Sequence, residues 1–181
     1  MNRESVTAAA GVPVRHVRRR STLDLKECVH VLAEVHERDG YPVNWPDSPV
    51  GWLTQPSLLA AWVAELDGRI VGHVGLSRNG AGDAAPALWS AREGVNIEGT
   101  VVVSRLFVAP AARGHGIGAL LMAEVVREAH ARDLHPVLDV VASDTSAAAL
   151  YERLGWDLLA TVEQRWSPDQ TVAVRCYAAA G

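Results

Sequence analysis

Cysteine is scarce in this 181-residue chain, with only Cys28 and Cys176. Two cysteines so far apart form neither a metal-ligand spacing nor a disulfide framework, so both are expected to be reduced and buried, and no metal is expected. No apolar stretch is long enough to cross a bilayer, and the opening Met1-Asn2-Arg3-Glu4 lacks the basic and apolar blocks of a signal peptide. A cytoplasmic location without a membrane partner is therefore the expectation. Excess positive charge is missing as well. A formal net charge of −4 argues against an extended nucleic-acid-binding surface, and the basic run Arg15-His16-Val17-Arg18-Arg19-Arg20 reads as a solvated strand end. What remains is 49% hydrophobic and 21% charged, the balance of a soluble globular protein. The length suits one domain, expected over residues 12–181 behind a loose leader at 1–11.

The order of elements can be read from periodicity and turn chemistry. Val12 to Val17 alternates as a strand, and Ser21-Thr22-Leu23-Asp24 opens a helix whose apolar face is expected at Leu25, Val29, Leu32, Ala33 and His36, with Gly40 as its stop. Residues 41–53 carry three prolines and two tryptophans and predict an irregular, partly rigid connection. Two apolar runs, Leu58 to Leu66 and Arg69 to Leu76, flank Asp67-Gly68, a pair that tolerates positive φ in a tight hairpin turn. Residues 77–99 lack a clear period and predict a long loop. Strands then follow at Thr100 to Val108, Val137 to Val141, Trp156 to Trp166 and Thr171 to Tyr177, with helices at Gly116 to Arg132 and Ser146 to Leu154. This order predicts an α/β domain, a mixed sheet covered by helices.

The most informative segment joins the strand ending at Val108 to the helix near Gly116. Glycines at 114, 116 and 118 remove Cβ atoms where backbone would approach a ligand, while successive N–H groups and the positive end of a helix favour an anion such as pyrophosphate. The spacing also suits glycines that merely end a strand and begin a helix. A nicotinamide site of the doubly wound type is disfavoured by the late position and wrong glycine spacing, and a P-loop by the lack of Gly-Lys-Ser/Thr.

Val103-Ser104-Arg105-Leu106-Phe107-Val108-Ala109-Pro110 followed by Arg113-Gly114-His115-Gly116-Ile117-Gly118 resembles the acetyl-CoA motif of the GCN5-related N-acetyltransferase (GNAT) superfamily, Arg/Gln-x-x-Gly-x-Gly/Ala. Downstream, Asp144-Thr145-Ser146-Ala147-Ala148-Ala149-Leu150-Tyr151-Glu152-Arg153-Leu154-Gly155-Trp156 resembles the family's second cofactor motif, N-x-x-A-x-x-L-Y-x-x-x-G-F, with Asp144 in place of Asn and Trp156 in place of Phe. The resemblance implies one domain with a mixed, mostly antiparallel central sheet, its central strands splayed, flanked by helices. It also implies acetyl-CoA as cosubstrate, bound by Leu106, Phe107, Val108, Arg113, Gly114, His115, Gly116, Ile117, Gly118, Ala119, Asp144 and Tyr151. The Val108 N–H would polarise the thioester carbonyl. Tyr151 would protonate the departing thiolate as general acid.

An amine arrives mostly as ammonium and must lose a proton before it attacks. The resemblance aligns Ser104 with an acidic residue common in the family, and serine is a poor base. Glu98 and His73 are the other candidates, beside a water relay. The family's variable acceptor-side elements fall at 41–53 and 77–99, where Trp45, Trp52 and Trp89 would wall a pocket and Glu93 or Asp47 would pair with an amine. The implied reaction is acetyl transfer to a primary amine of a small molecule. Alternatives are a protein or peptide N-acetyltransferase, a non-catalytic acyl-CoA sensor, and use of a longer acyl chain. Edge-strand pairing makes a homodimer an open expectation.

Overall fold

The computed structural model describes residue 11 and residues 13–181. Residues 1–10 and Val12, which include nearly all of the expected leader, lie outside the described residues. The chain runs β1 (Arg15–Arg19), α1 (Leu25–Asp39), α2 (Pro49–Leu53), β2 (Leu58–Leu66), β3 (Arg69–Ser77), α3 (Ala85–Glu93), β4 (Thr100–Val108), α4 (Ile117–Ala131), β5 (His135–Val141), α5 (Thr145–Arg153), β6 (Asp157–Ser167) and β7 (Gln170–Ala178). Seven strands form one sheet in the order β1-β2-β3-β4-β5-β7-β6, antiparallel except for the β4–β5 pair. No helix of the described residues is long and apolar enough to cross a membrane.

The local signals act as their chemistry predicts at several joints. The β2–β3 hairpin turns on Asp67 (φ 50°) and Gly68 (φ 79°), both left-handed as a primed turn requires. The Asp67 carboxylate then accepts the Val14 N–H at 3.1 Å, tying β1 to the hairpin. At the start of α1 the Ser21 N–H donates to Asp24, whose carboxylate also takes a two-pronged grip from Arg18 at 2.8 and 2.9 Å. Gly40, left-handed at φ 71°, ends the helix with its N–H on His36 O. The buried face of α1 is Cys28, Val31, Leu32 and Val35, a stripe rotated from the expected one; Ala33 is exposed. Cys28 is small enough to lie flat against the sheet, and both cysteines are free and buried.

The expected loop at 77–99 contains α3. Only Ala85 and Pro86 are buried in it, so it has almost no apolar stripe to detect. Its N-terminal cap also comes from far away: the Asp139 carboxylate on β5 accepts the N–H groups of Ala84 and Ala85 at 2.7 and 2.9 Å.

Helices cover both faces of the sheet. One core packs α4 and α5 on alternate residues of β2, β3 and β4, including Trp62, Val74, Leu76, Val101 and Val103. The opposite face carries α1 and α2 over Val63, Ile70 and Phe107, and α3 over Val102, Val137 and Cys176. Pairing of β4 with β5 stops at Val102↔Val137. β4 continues from Val103 to Val108, roughly 20 Å at about 3.3 Å per residue, while β5 pairs onward with β7 alone. The two central strands therefore splay.

Candidate active site

The edges facing this gap carry unpaired backbone groups. Ala109 N–H donates to Val71 O at 2.7 Å. Successive strand residues turn their N–H and C=O groups to opposite edges, so those of Leu106 and the N–H of Val108 point into the gap unpaired, while Val108 O accepts from Arg113. Phe107 lies opposite His73 on β3.

At the open end of the gap the chain turns into α4 through Arg113–Gly116. Gly114 (φ 83°) and Gly116 (φ 71°) take left-handed conformations that an L side chain adopts only with strain. Among the described residues no side chain caps α4. The N–H groups of Ile117, Gly118 and Ala119, at the positive end of a fifteen-residue helix, are thus open to an anion, whereas the Leu120 N–H is taken by Gly116 O. Gly118 has a different purpose from the one expected: a Cβ there would come within 2.9 Å of Leu150 Cδ2, so it lets α4 approach α5.

The charged side chains of the loop are tied to protein partners. Arg113 pairs with Asp39 at the end of α1 and donates to Val108 O at 3.3 Å. His115 Nδ1 bonds Ala112 O at 3.0 Å, and Arg15 of β1 donates to His115 O at 2.5 Å. Arg15 thus brings a cation to the loop from a segment read as a solvated strand end. The Asp144 carboxylate accepts the Ala147 N–H at 3.0 Å and caps α5. The uncapped helix end, two left-handed glycines and two unpaired strand edges fit a pyrophosphate followed by an extended, amide-bearing arm, as coenzyme A has.

Tyr151 of α5 is buried at 5% exposure, with its ring 6.1 Å from Trp156 and 5.7 Å from Tyr177. Its hydroxyl has no hydrogen-bond partner among the described residues. Burial, with Tyr41 and Asp144 nearby, holds the phenol well above its ordinary pKa. Tyr41, from the connection after α1, is pushed up to about 12, again by burial. Tyr41 packs edge-on against Trp52 at 6.1 Å, on the sheet face that carries α1 and α2, opposite the face that holds Tyr151.

A bulge in β4 shapes the face beneath α1 and α2. Between His73↔Phe107 and Gly75↔Ser104 the register shifts, and Arg105 sits at φ 56°. Strict alternation would put Arg105 beside Val101 and Val103 on the α4 face. The bulge instead turns it toward α2, where its guanidinium lies 3.9 Å from the Trp52 ring centroid and its Nε donates to Trp52 O at 3.3 Å.

The bulge also fixes His73. Its Nδ1 donates to Arg105 O at 2.8 Å and its Nε2 accepts from Arg20 at 2.8 Å, the only tautomer that satisfies both. Fully buried, His73 has its pKa pushed down to about 3 by desolvation. Both nitrogens are engaged, so the expectation of a base there is corrected: His73 braces the bulge. Ser104 bonds Ser77 at 3.1 Å, and Ser77 accepts from Gln55 at 3.1 Å, which gives Ser104 a structural partner.

Two further expectations, Trp89 and Glu93, are corrected by the direction of α3. Its beginning lies at Asp139 toward the gap, and its end lies at the opposite, joined end of β4 and β5, where Trp89 stacks on His135 at 4.2 Å. Trp89 lines a shallow hollow there of about 570 Å³ with Asn96, His130 and His135. Glu93 is exposed beside Arg92 at the same end. Glu98 precedes β4 in a 3₁₀ turn, also at the joined end and exposed. The paired strand from Thr100 to Val103, about 10 Å at ~3.3 Å per residue, separates it from the start of the splay, so the expectation of a base there is corrected too. Trp45 packs on His36 at 5.1 Å and is 40% exposed, and Asp47 is exposed. Of the three tryptophans, Trp52 is the one that packs on a residue of β4, Arg105.

The residues that sequence reasoning missed are Arg105, Tyr41 and Asp83. Asp83 is half-buried before α3, accepts Gly80 N–H at 2.8 Å, and has its pKa raised mainly by burial, with Asp139 adding to the rise and Arg105 opposing it. No local pattern marks any of the three, because a bulge and two connections bring them together.

No curated protein matches the chain. Solved structures with the same fold include the ribosomal-protein-S18-alanine N-acetyltransferase of Escherichia coli (TM-score 0.65, 18% identity, 92% of this chain and 93% of that one). Others are the ribosomal-protein-alanine N-acetyltransferase of Brucella melitensis (0.66, 21%, 90% and 98%) and NAA60 of Arabidopsis thaliana in complex with acetyl-CoA (0.66, 18%, 91% and 97%). The match to a known family spans residues 25–156, from the start of α1 through both cofactor motifs, and the chain belongs to the acetyltransferase (GNAT) family.

Proposed function

We propose that the protein is an acetyl-CoA-dependent N-acetyltransferase acting on a primary amine of a small molecule. The observation that carries this reading is the splayed β4–β5 gap, with unpaired edges, running to the uncapped N-terminus of α4. Acetyl-CoA supplies the activated acetyl group as a thioester. The amides of Ile117, Gly118 and Ala119 hold its pyrophosphate, and the Leu106 and Val108 edge pairs with the amides of its arm.

In this reading the Val108 N–H stabilises charge on the thioester oxygen as the amine attacks, and Tyr151, kept protonated by burial, gives its proton to the departing thiolate. Asp83, whose raised pKa makes it a better proton acceptor than an ordinary carboxylate, takes the ammonium proton directly or through water.

A small acceptor is supported by a bridge across the mouth of the gap. Asn44, beyond α1 on the β4 side, donates to Gln170 at the start of β7 at 3.0 Å, and Gln170 returns a bond at 3.4 Å. An amide clasp of this kind suits a pocket better than an open peptide groove. A protein N-terminus as acceptor is the second reading, supported by the ribosomal-protein acetyltransferases of like fold.

Isothermal titration with acetyl-CoA tests the cofactor assignment, beside a Gly116→Trp variant whose fold is checked by circular dichroism. Binding by the native chain and its loss in the folded variant is the expected result. No binding by the native chain would overturn the assignment. Thiol release with small amines against N-terminal peptides then separates the two acceptors.

A further inference from the structure

Arg105 is a half-buried guanidinium with no carboxylate in contact among the described residues. One of its five N–H groups is used, by Trp52 O, and its face is covered by the Trp52 ring. The chain accepts a left-handed conformation at a residue other than glycine to hold it there, and His73 and Arg20 brace the bulge from behind. Removing a cation from water without a counter-charge is unfavourable. The arrangement is therefore understandable if the missing partner arrives with a ligand.

The ligand is not the pyrophosphate of the cofactor. That cradle is at the α4 end of the gap, while Arg105 faces α2 on the other side of the sheet. Tyr41 lies beside the same tryptophan, its ring 6.1 Å from that of Trp52, and the Asp83 carboxyl group makes no ion pair with Arg105 among the described residues. A guanidinium presents its remaining N–H groups as a planar fork that matches a carboxylate.

We propose that the acceptor is an amine that also bears a carboxylate, and that Arg105, stacked on Trp52, binds that carboxylate while the amino group is directed into the β4–β5 gap. The proposal rests on the acetyl-transfer reading and names the substrate class of that site. Arg105 is a substrate-binding residue in it, and His73 and Arg20 are positioning residues.

The test measures binding separately from turnover. With coenzyme A present, the protein is titrated calorimetrically with N-acetyl-L-amino acids and with the corresponding N-acetyl-L-amino acid amides, which are product forms with and without the carboxylate. At least one acid should bind about 10- to 100-fold more tightly than its amide, the range of a charge-assisted pair. Arg105→Gln should remove that difference while coenzyme A affinity stays within about twofold, and Arg105→Lys should restore part of it. Equal binding of acids and amides, binding of neither, or an equal loss of both in Arg105→Gln overturns the proposal. A parallel thiol-release assay with free amino acids and their amides reports on transfer. Acid-selective binding without turnover would keep the carboxylate site and overturn the acetyl-transfer reading; turnover with amides favoured would do the reverse.

Discussion

Tyr151 and His73 are both buried, and burial drives both toward their neutral forms, with opposite consequences for pKa. For Tyr151 the shift is upward, so the phenol remains a proton donor through the working range of the enzyme. Tyr151→Phe should lower kcat by at least about 100-fold, the scale of a lost general acid, with acetyl-CoA affinity little changed in a direct titration. Asp83 has its pKa raised by burial and must be ionised to accept a proton. The acidic limb of kcat/KM against pH should therefore rise through a pKa above the ordinary carboxylate value and be absent in Asp83→Asn. An unchanged limb in that variant would assign the base elsewhere. Tyr151 was legible because its motif lies on one helix, whereas Asp83 and Arg105 become neighbours only when α3 is anchored and β4 bulges.

At the scale of elements, the turn into α4 combines two kinds of glycine. Gly116 needs its left-handed φ, so Gly116→Ala should cost roughly 1–2 kcal/mol in urea unfolding and weaken acetyl-CoA by displacing the helix N-terminus. Gly118 is helical, and its neighbour is the flexible end of Leu150, one residue before Tyr151. Gly118→Ala should be tolerated, while Gly118→Val should push α5 outward and lower kcat more than it raises the KM for acetyl-CoA. Steady-state kinetics of the two variants distinguish a helix-packing glycine from a ligand-facing one. The hairpin at Asp67-Gly68 and the bounds of β4 were legible from sequence because local turn chemistry and an uninterrupted apolar run determine them. The helix α3 was not, since its cap comes from Asp139 on another strand and its buried surface is confined to Ala85 and Pro86.

The whole molecule responds to acid through groups held far from their ordinary pKa values. His73 is neutral in the folded state down to about pH 3, while in the unfolded chain it takes a proton near its ordinary value of 6.5. The unfolded state therefore binds the extra proton between those limits, and stability falls as pH drops below 6.5. The slope from this residue approaches about 1.4 kcal/mol per pH unit. Asp24, held low by Arg18, adds a loss of the same sign only below the ordinary carboxylate range. Urea unfolding at pH 7 and pH 5 should show the decline, and His73→Gln should flatten it while lowering stability at pH 7. Local order along the chain, namely the hairpin, the bounds of β4 and the glycine turn, was determined by the sequence itself, because neighbouring residues settle backbone conformation and periodicity. The first strand, expected at Val12 to Val17, runs instead from Arg15 to Arg19, and β5 begins two residues earlier than expected. The splay of the central strands was implied by the family resemblance, but the tertiary structure alone decided that they part after Val102, that α3 carries Trp89 and Glu93 away from the gap, and that Arg105 turns onto Trp52. Those outcomes depend on strand register, on a cap supplied across more than fifty residues, and on a bulge braced by a buried histidine, each a contact between segments that no local pattern encodes.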